Sequence, residues 1–399
     1  MAGIPIAQFL DWAANTGPQF LSGDDNIVNA VSRRSYLLGK FLRGKPASRI
    51  LQGSDTIQET IYLDAQRTFQ EFARGDDIQW TNPQKDVLAS IDWKFTLDWM
   101  AWDEWEYEGQ TSGLTAGGLK TKYKDMAYSK MQRLWESTID GWESLLFRPP
   151  ATNTTETSTY QAMEQGGKKI YGIPVWFNEN AGSTTGGFSA AWTQVEGIDW
   201  ATYGASNGNF DCKRRQYDTT DLAGADDDSN GLFEAFDDMG VQIAYHRPGF
   251  KDRYFEDETD PGVDLCICTS KKGYTQVMGL HRKMNESLIQ PQDAAYPYPR
   301  WNGAAILDVQ ELDDAQLYTD GSTGFVDELD STVSNSGARY YFLNTRYLNM
   351  VFHRAKYFRT RGRKEPESKV GVYVQPVETW GNLTCTNPRT GGVVYPGAA

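Results

Sequence analysis

Several short stretches carry residue types that can do chemistry, and each meets or misses the spacing that chemistry needs. "DWMAWDEWEYE" sets Asp98, Asp103, Glu104 and Glu106 among Trp99, Trp102 and Trp105. Two carboxyls roughly 5–10 Å apart beside sugar-stacking rings would make a glycosidase cleft. The run extends an alternating stretch, however, and alternation assigns most of these acids to a wet face opposite the rings. "GASNG" has the spacing of a nucleophile elbow around Ser206, but that turn needs a helix after it. "NFDCKRRQYD" shows no helical pattern there, so a glycine-rich loop is the expectation. "GLTAGGLKT" approaches a phosphate loop and fails by one position, because Leu119 stands where lysine must follow the second glycine. It reads as a loop feeding a helix. Cys266 and Cys268 face the same way along a strand without a second Cys or His pair at zinc spacing, and read as small core side chains. His246, His281 and His353 fall in separate elements and read as structural. No catalytic residue, metal or cofactor is expected.

One further stretch invites a binding role. "YYFLNTRYLNMVFHRAKYFRTRGRK", residues 340–364, interleaves Arg354, Lys356, Arg359, Arg361, Arg363 and Lys364 with Tyr357 and Phe358. Such a segment can hold single-stranded nucleic acid through stacking and charge. It can equally pair with acidic surfaces of neighbouring chains.

The elements that must position these residues follow from periodicity. In "SIDWKFTLDW" the apolar Ile91, Trp93, Phe95, Leu97 and Trp99 alternate without a break with polar residues, the signature of a half-buried strand. Upstream, Ile57, Ile61, Leu63, Ala65 and Phe69 repeat the two-residue pattern, and a turn-rich "RGDDIQWTNPQKD" lies between. Together they predict a long hairpin whose first arm, Ile57 to Phe72, reaches roughly 50 Å at about 3.3 Å per residue. A lone two-stranded hairpin is marginal in water, so it needs a surface to lie on.

After Gly117-Gly118 the period changes to that of a helix. Met126, Met131, Leu134, Ile139, Trp142 and Leu145 form one stripe, which Pro149-Pro150 ends. From about Leu119 to Phe147 that helix is roughly 40 Å long. Beyond it, "IPVWF" reads as a short strand, "GLFEAFDDMGVQIAYHR" as an amphipathic helix, and "VDLCIC" as a buried strand before a helix carrying Tyr274 and Val277. "GAAILDV" reads as another strand and residues 313–338 as a surface loop. From Tyr340 onward strands dominate: "YYFL", "LNMVFH", "VGVYVQPV" and "NLTCT". Residues 1–49 read as an arm: Asp24 and Asp25 cap a helix carrying Arg33 and Arg34, and six basic residues stand against three acidic ones.

Composition narrows the function. A chain of 399 residues can bury a substantial core. Its net charge of −14 argues against a surface that grips nucleic acid or anionic lipid throughout, so any basic site is local. With 13 Trp and 21 Tyr it is rich in side chains suited to interfaces or to sugar faces. Four scattered cysteines and no signal-like start predict a cytosolic product with reduced thiols, and no apolar run is long enough to cross a bilayer.

The order of the parts (basic arm, long hairpin, long helix, mixed region, returning strands) resembles the major capsid protein of tailed bacteriophages, the Hong Kong 97-type fold. The strings that carry the resemblance are "LASIDWKF", "VEGIDWATY", "DLCICTSKKGYTQVMGLHRK", "YYFLNTRYLNMVFHR" and "WGNLTCTNPRTGG", in that order. It implies an α+β chain divided into an N-terminal arm (1–49), an extended E-loop hairpin with its return strand (50–113) and a peripheral domain with a spine helix (114–187). An axial domain (188–338) and returning strands that complete the peripheral domain (339–399) follow. It further implies self-assembly as hexamers and pentamers of an icosahedral shell around double-stranded DNA, without sequence-specific binding, enzymatic activity or a membrane. The implied partners are further copies, a separate scaffolding protein, a portal and a decoration protein. The implied location is the virion capsid, assembled in the bacterial host cytoplasm. Contacts between subunits are expected at Arg33, Arg34, Phe69, Phe72, Trp80, Trp93, Arg354, Arg359 and Arg361. The alternatives are a carbohydrate-active enzyme using paired carboxylates and a nucleic-acid-binding protein using residues 354–364.

Overall fold

The computed structural model describes residues 48–51, 55–62, 71–74, 86–103, 116–147, 170–177, 194–195, 198–199, 210–218, 222, 231–245, 265–283, 300–301, 304–309, 312, 338–362, 365 and 371–396. Their elements run β1 (Ser48–Leu51), β2 (Thr56–Tyr62), β3 (Asp86–Asp92), β4 (Lys94–Asp103), α1 (Ala116–Phe147), α2 (Ile173–Trp176), β5 (Gln194–Val195), β6 (Ile198–Asp199) and β7 (Lys213–Tyr217). They continue with α3 (Leu232–Tyr245), β8 (Leu265–Thr269), α4 (Lys271–Lys283), β9 (Arg300–Trp301), β10 (Ala304–Asp308), β11 (Tyr340–Asn344), β12 (Leu348–His353), β13 (Arg359–Thr360), β14 (Val372–Cys385) and β15 (Gly392–Pro396). The chain divides into two compact units, one holding β1 with Trp93–Leu146 and Asn349–Leu383, the other Thr56–Asp92, Phe147–Leu348 and Thr384–Ala399.

In the first unit the 32 residues of α1 span about 48 Å. Met131, Leu134, Trp135, Ile139, Trp142 and Leu146 are buried along one side at spacings of three and four, as a core-facing stripe requires. Leu145, placed on that stripe from sequence, is only half-buried; Trp135 and Leu146 fill the face instead. Gly117 and Gly118 lie inside the helix rather than in a loop before it. Trp135 meets Phe358 at 5.7 Å and Trp142 meets Phe352 at 5.6 Å, both edge-on, so the helix is fastened to β12 and to the turn after it. The five-stranded sheet of this unit runs β1-β12-β14-β13, with β4 on β14. β12 is buried over five of its six residues, as "LNMVFH" with both faces covered should be.

The second unit is built on a six-stranded sheet in the order β7-β15-β11-β8-β10-β9. Its core gathers Tyr340 and Phe342 of β11, Ile267 of β8 and Ile306 of β10. Phe236 and Met239 of α3 and Val277 and Leu280 of α4 pack into the same cluster. Two sequence expectations change here. The "IPVWF" segment is one helical turn, because Pro174 in its first turn suits a helix start and denies a strand its hydrogen bond. The strands after residue 339 do not all join one sheet: β11 and β15 lie in the six-stranded sheet, β12 and β14 in the five-stranded one. Residues 313–337 and Ser206 lie outside the described residues.

The hairpin is present over seven pairs, from Thr56 opposite Asp92 to Tyr62 opposite Asp86. Ile57, Ile61, Ala89 and Ile91 are buried on one face, so this part packs within its own chain, while Gln58, Thr60, Leu88 and Ser90 are exposed on the other. Residues 63–70 and 75–85, the remainder of the expected projection, lie outside the described residues. The alternating stretch does not continue as the hairpin's second arm past Asp92; Lys94–Asp103 pairs with β14 in the other sheet.

Candidate assembly surface

The change of sheet between β3 and β4 has a side-chain consequence. Trp93 and Lys94 are both buried, which shifts the burial phase by one residue. After the shift the even-numbered residues point inward. Thr96 Oγ1 donates to the Thr379 carbonyl at 3.1 Å, Thr138 Oγ1 of α1 donates to Asp98 Oδ2 at 3.0 Å, and Met100 is buried. The odd-numbered residues therefore point out: Phe95 is 61% exposed, Leu97 55% and Trp99 59%. The sequence reading had the rings inside and the acids wet, and the structure reverses it. Strict alternation separates two faces of a strand but does not say which is covered.

Opposite this row on β14 stand Trp380 across from Phe95, Glu378 across from Leu97 and Pro376 across from Trp99. Directly opposed residues in an antiparallel pair share a face. Phe95 and Trp380 meet edge-on at 4.6 Å. Arg359 of β13 pairs with Glu378 from the other side, so Leu97, Glu378 and Arg359 form one cross-strand row.

The basic segment identified from sequence converges on Glu378. Arg361 Nε donates to Glu378 Oε2 at 2.6 Å, Lys356 Nζ to the same oxygen at 3.1 Å, and Trp380 Nε1 to Oε1 at 2.6 Å. Lys356 also lies over the Trp380 ring, 5.1 Å from its centroid. Burial by itself would raise the Glu378 carboxyl pKa, but the hydrogen bonds from Arg361, Lys356 and Trp380 outweigh it and bring the group down to about 2. A carboxyl held below its ordinary 4.5 stabilises the fold fully above that pH, and loses that contribution as pH falls toward 2. Glu378→Gln is thus expected to cost about 2 kcal/mol at pH 7 and to flatten the acid-unfolding profile between pH 4.5 and 2. Urea melts across that range check both effects.

His353 completes the cluster as a structural residue, as expected: its Nδ1 accepts from the Ala355 amide at 3.2 Å and its ring meets Trp93 at 5.2 Å and Trp380 at 5.3 Å. Trp93, expected at a contact between subunits, is only 5% exposed, and this packing makes it part of the protomer's own core. Phe72 is 69% exposed. Arg354 and Arg359 are exposed, and Arg361 is exposed while engaged on Glu378. Arg33, Arg34, Phe69 and Trp80 lie outside the described residues. Sequence reasoning missed Glu378, whose signal was a single carboxylate inside the apolar run "VYVQPVETW".

Asp98 is turned toward α1, Glu104 and Glu106 lie outside the described residues, and no group of three metal-ligating side chains gathers among the described ones. The four cysteines are buried and form no disulfide. No helix among the described residues is long and apolar enough to cross a membrane.

No family model and no curated protein matches this chain. Solved structures do. A chain of the cyanophage A-1(L) capsid asymmetric unit is 10% identical, with a TM-score of 0.50 over 92% of this chain and 93% of that one. A capsid chain of an empty GTA particle is 8% identical, with a TM-score of 0.47 over 90% and 98%. The capsid of Myoviridae phage XM1 is 14% identical, with a TM-score of 0.38 over 90% and 91%. At nearly full coverage of both chains, this protein has the fold of the cyanophage A-1(L) capsid chain, the Hong Kong 97-type fold.

Proposed function

We propose that this chain is the major capsid protein of a tailed phage, assembling as hexamers and pentamers into an icosahedral shell around double-stranded DNA. The observation that carries the reading is the end-to-end likeness to a chain of the cyanophage A-1(L) capsid, which leaves little of either chain unaccounted for. The exposed apolar residues of the protomer support it, since a chain that functions alone seldom leaves three large hydrophobics uncovered in one row. The acidic balance of −14 suits a container, because a strongly basic lining would hold the genome by nonspecific attraction.

On this reading residues 1–49 form the arm, 50–113 the hairpin and its return, 114–187 and 339–399 the peripheral domain, and 188–338 the axial domain. Arg33, Arg34, Phe69, Phe72, Trp80, Arg354, Arg359 and Arg361 make contacts between subunits. The protein works without enzymatic activity, in the virion, after assembly in the bacterial cytoplasm with a scaffolding protein, a portal and a decoration protein. Size exclusion and negative-stain microscopy of the purified chain test the central claim. Megadalton particles with angular outlines are the expected result; a monodisperse monomer at every concentration would refute it.

A further inference from the structure

We infer that the outward face of the β4–β14 ladder, with Phe95, Leu97 and Trp99 at its centre, is a docking surface for a second copy of this chain. The inference rests on the assembly reading and assigns a surface to it. Three independent features of the face point the same way.

The first is apolar area. Of the six large hydrophobics exposed among the described residues, three stand on this one strand at every second position. Successive members are about 7 Å apart, so the row is continuous. Its uncovered apolar surface is on the order of 300 Å², within the range of the largest patch on an ordinary protein, which is often a functional one, and enough for the centre of an interface of roughly 800 Å² per partner. The second is the strand itself. Among the described strands β4 pairs only with β14, over ten residues, which makes it a long edge. Solitary proteins guard such edges with lysine, proline or a bulge, and the exposed outward positions described here carry Phe, Leu, Trp and Ala instead.

The third is charge. Among the described side chains the acid on this face is Glu378, which is held by Arg361 and Lys356, and the row ends in exposed Arg359. The face is thus apolar with a basic margin, while the chain as a whole carries −14. The surface of another copy is acidic on average, so the margin attracts it and the centre is then covered. Single-stranded nucleic acid would also meet rings and cations here. It is the poorer fit, because Leu97 interrupts the stacking platform and two of the nearby cations are already committed to a carboxylate.

The test uses the full chain and two substitutions. Leu97→Asp places a charge at the centre of the face on a side chain that is already exposed, so the protomer keeps its fold, which circular dichroism and urea melts verify. Leu97→Cys introduces an accessible thiol into a chain whose own cysteines are all buried. Analytical ultracentrifugation should show the assembly threshold of Leu97→Asp raised at least about tenfold. Maleimide should label the introduced thiol quickly in dilute protomer and slowly in the assembled fraction. If wild type and Leu97→Asp form shells alike and the thiol labels at one rate in both states, this surface is wrong while the capsid reading stands. If wild type forms small closed oligomers that Leu97→Asp abolishes, the surface stands and the shell reading falls. A wild type monomeric at every concentration removes both. Protection of the thiol by a single-stranded DNA oligomer but not by raised protein concentration overturns the inference in favour of nucleic acid.

Discussion

Phe236→Ala is expected to destabilise the second unit by about 4 kcal/mol, the range for emptying a large aromatic from a packed core. Phe236 is fully buried on α3. Its ring meets Tyr340 at 5.0 Å, Phe342 at 5.2 Å and Trp301 at 6.0 Å, all edge-on. It therefore links the helix to two neighbouring residues of β11 and to the strand at the sheet's far edge. The neighbours cannot close the gap readily, because they are rings set by their own partners: the Tyr340 hydroxyl lies 3.2 Å from the Gly273 carbonyl and 3.0 Å from Gln276 Oε1. Urea unfolding of dilute protomer, followed by aromatic circular dichroism, should show the midpoint fall sharply. Phe236→Leu, which keeps most of the volume, should recover more than half of the loss. Equal loss in the two variants would argue against a packing role.

A second large effect is expected at Gly381, where valine should cost about 3 kcal/mol or more and lower the soluble yield. A Cβ there would lie 2.9 Å from the Val351 carbonyl oxygen and 2.9 Å from the Phe352 ring. One of those neighbours is backbone and cannot rotate away, and the other is the ring that receives Trp142 of the long helix. The absence of a side chain thus lets β14 lie close to β12. Thermal unfolding of Gly381→Ala and Gly381→Val should show a graded loss, with alanine the milder. A neutral result for valine would mean that the two strands can separate without cost.

Much of the architecture was legible in the residues. The 3.6-residue stripe from Met131 onward announces the long helix because burying one side of a helix constrains every third or fourth position. "VDLCIC" read as a buried strand because a short run of apolar residues has no wet face to serve. The two alternating runs and the turn-rich stretch between them announced a hairpin, which the structure has between Thr56–Tyr62 and Asp86–Asp92. The "IPVWF" segment misled because five residues are too few for periodicity to separate a turn of helix from a strand.

What the sequence determined unaided was the kind of the longer periodic elements, the long helix above all, and the presence of two unlike faces on β4. Tertiary structure alone decided which of those faces is covered. Alternation is symmetric under exchange of inside and outside, and one residue of slippage at Trp93 and Lys94 turned Phe95, Leu97 and Trp99 outward. It likewise decided that Lys356 and Arg361 of the basic segment would be spent on Glu378, since ion pairing depends on which strands become neighbours, and strand neighbours separated by a turn or by hundreds of residues look alike along the chain.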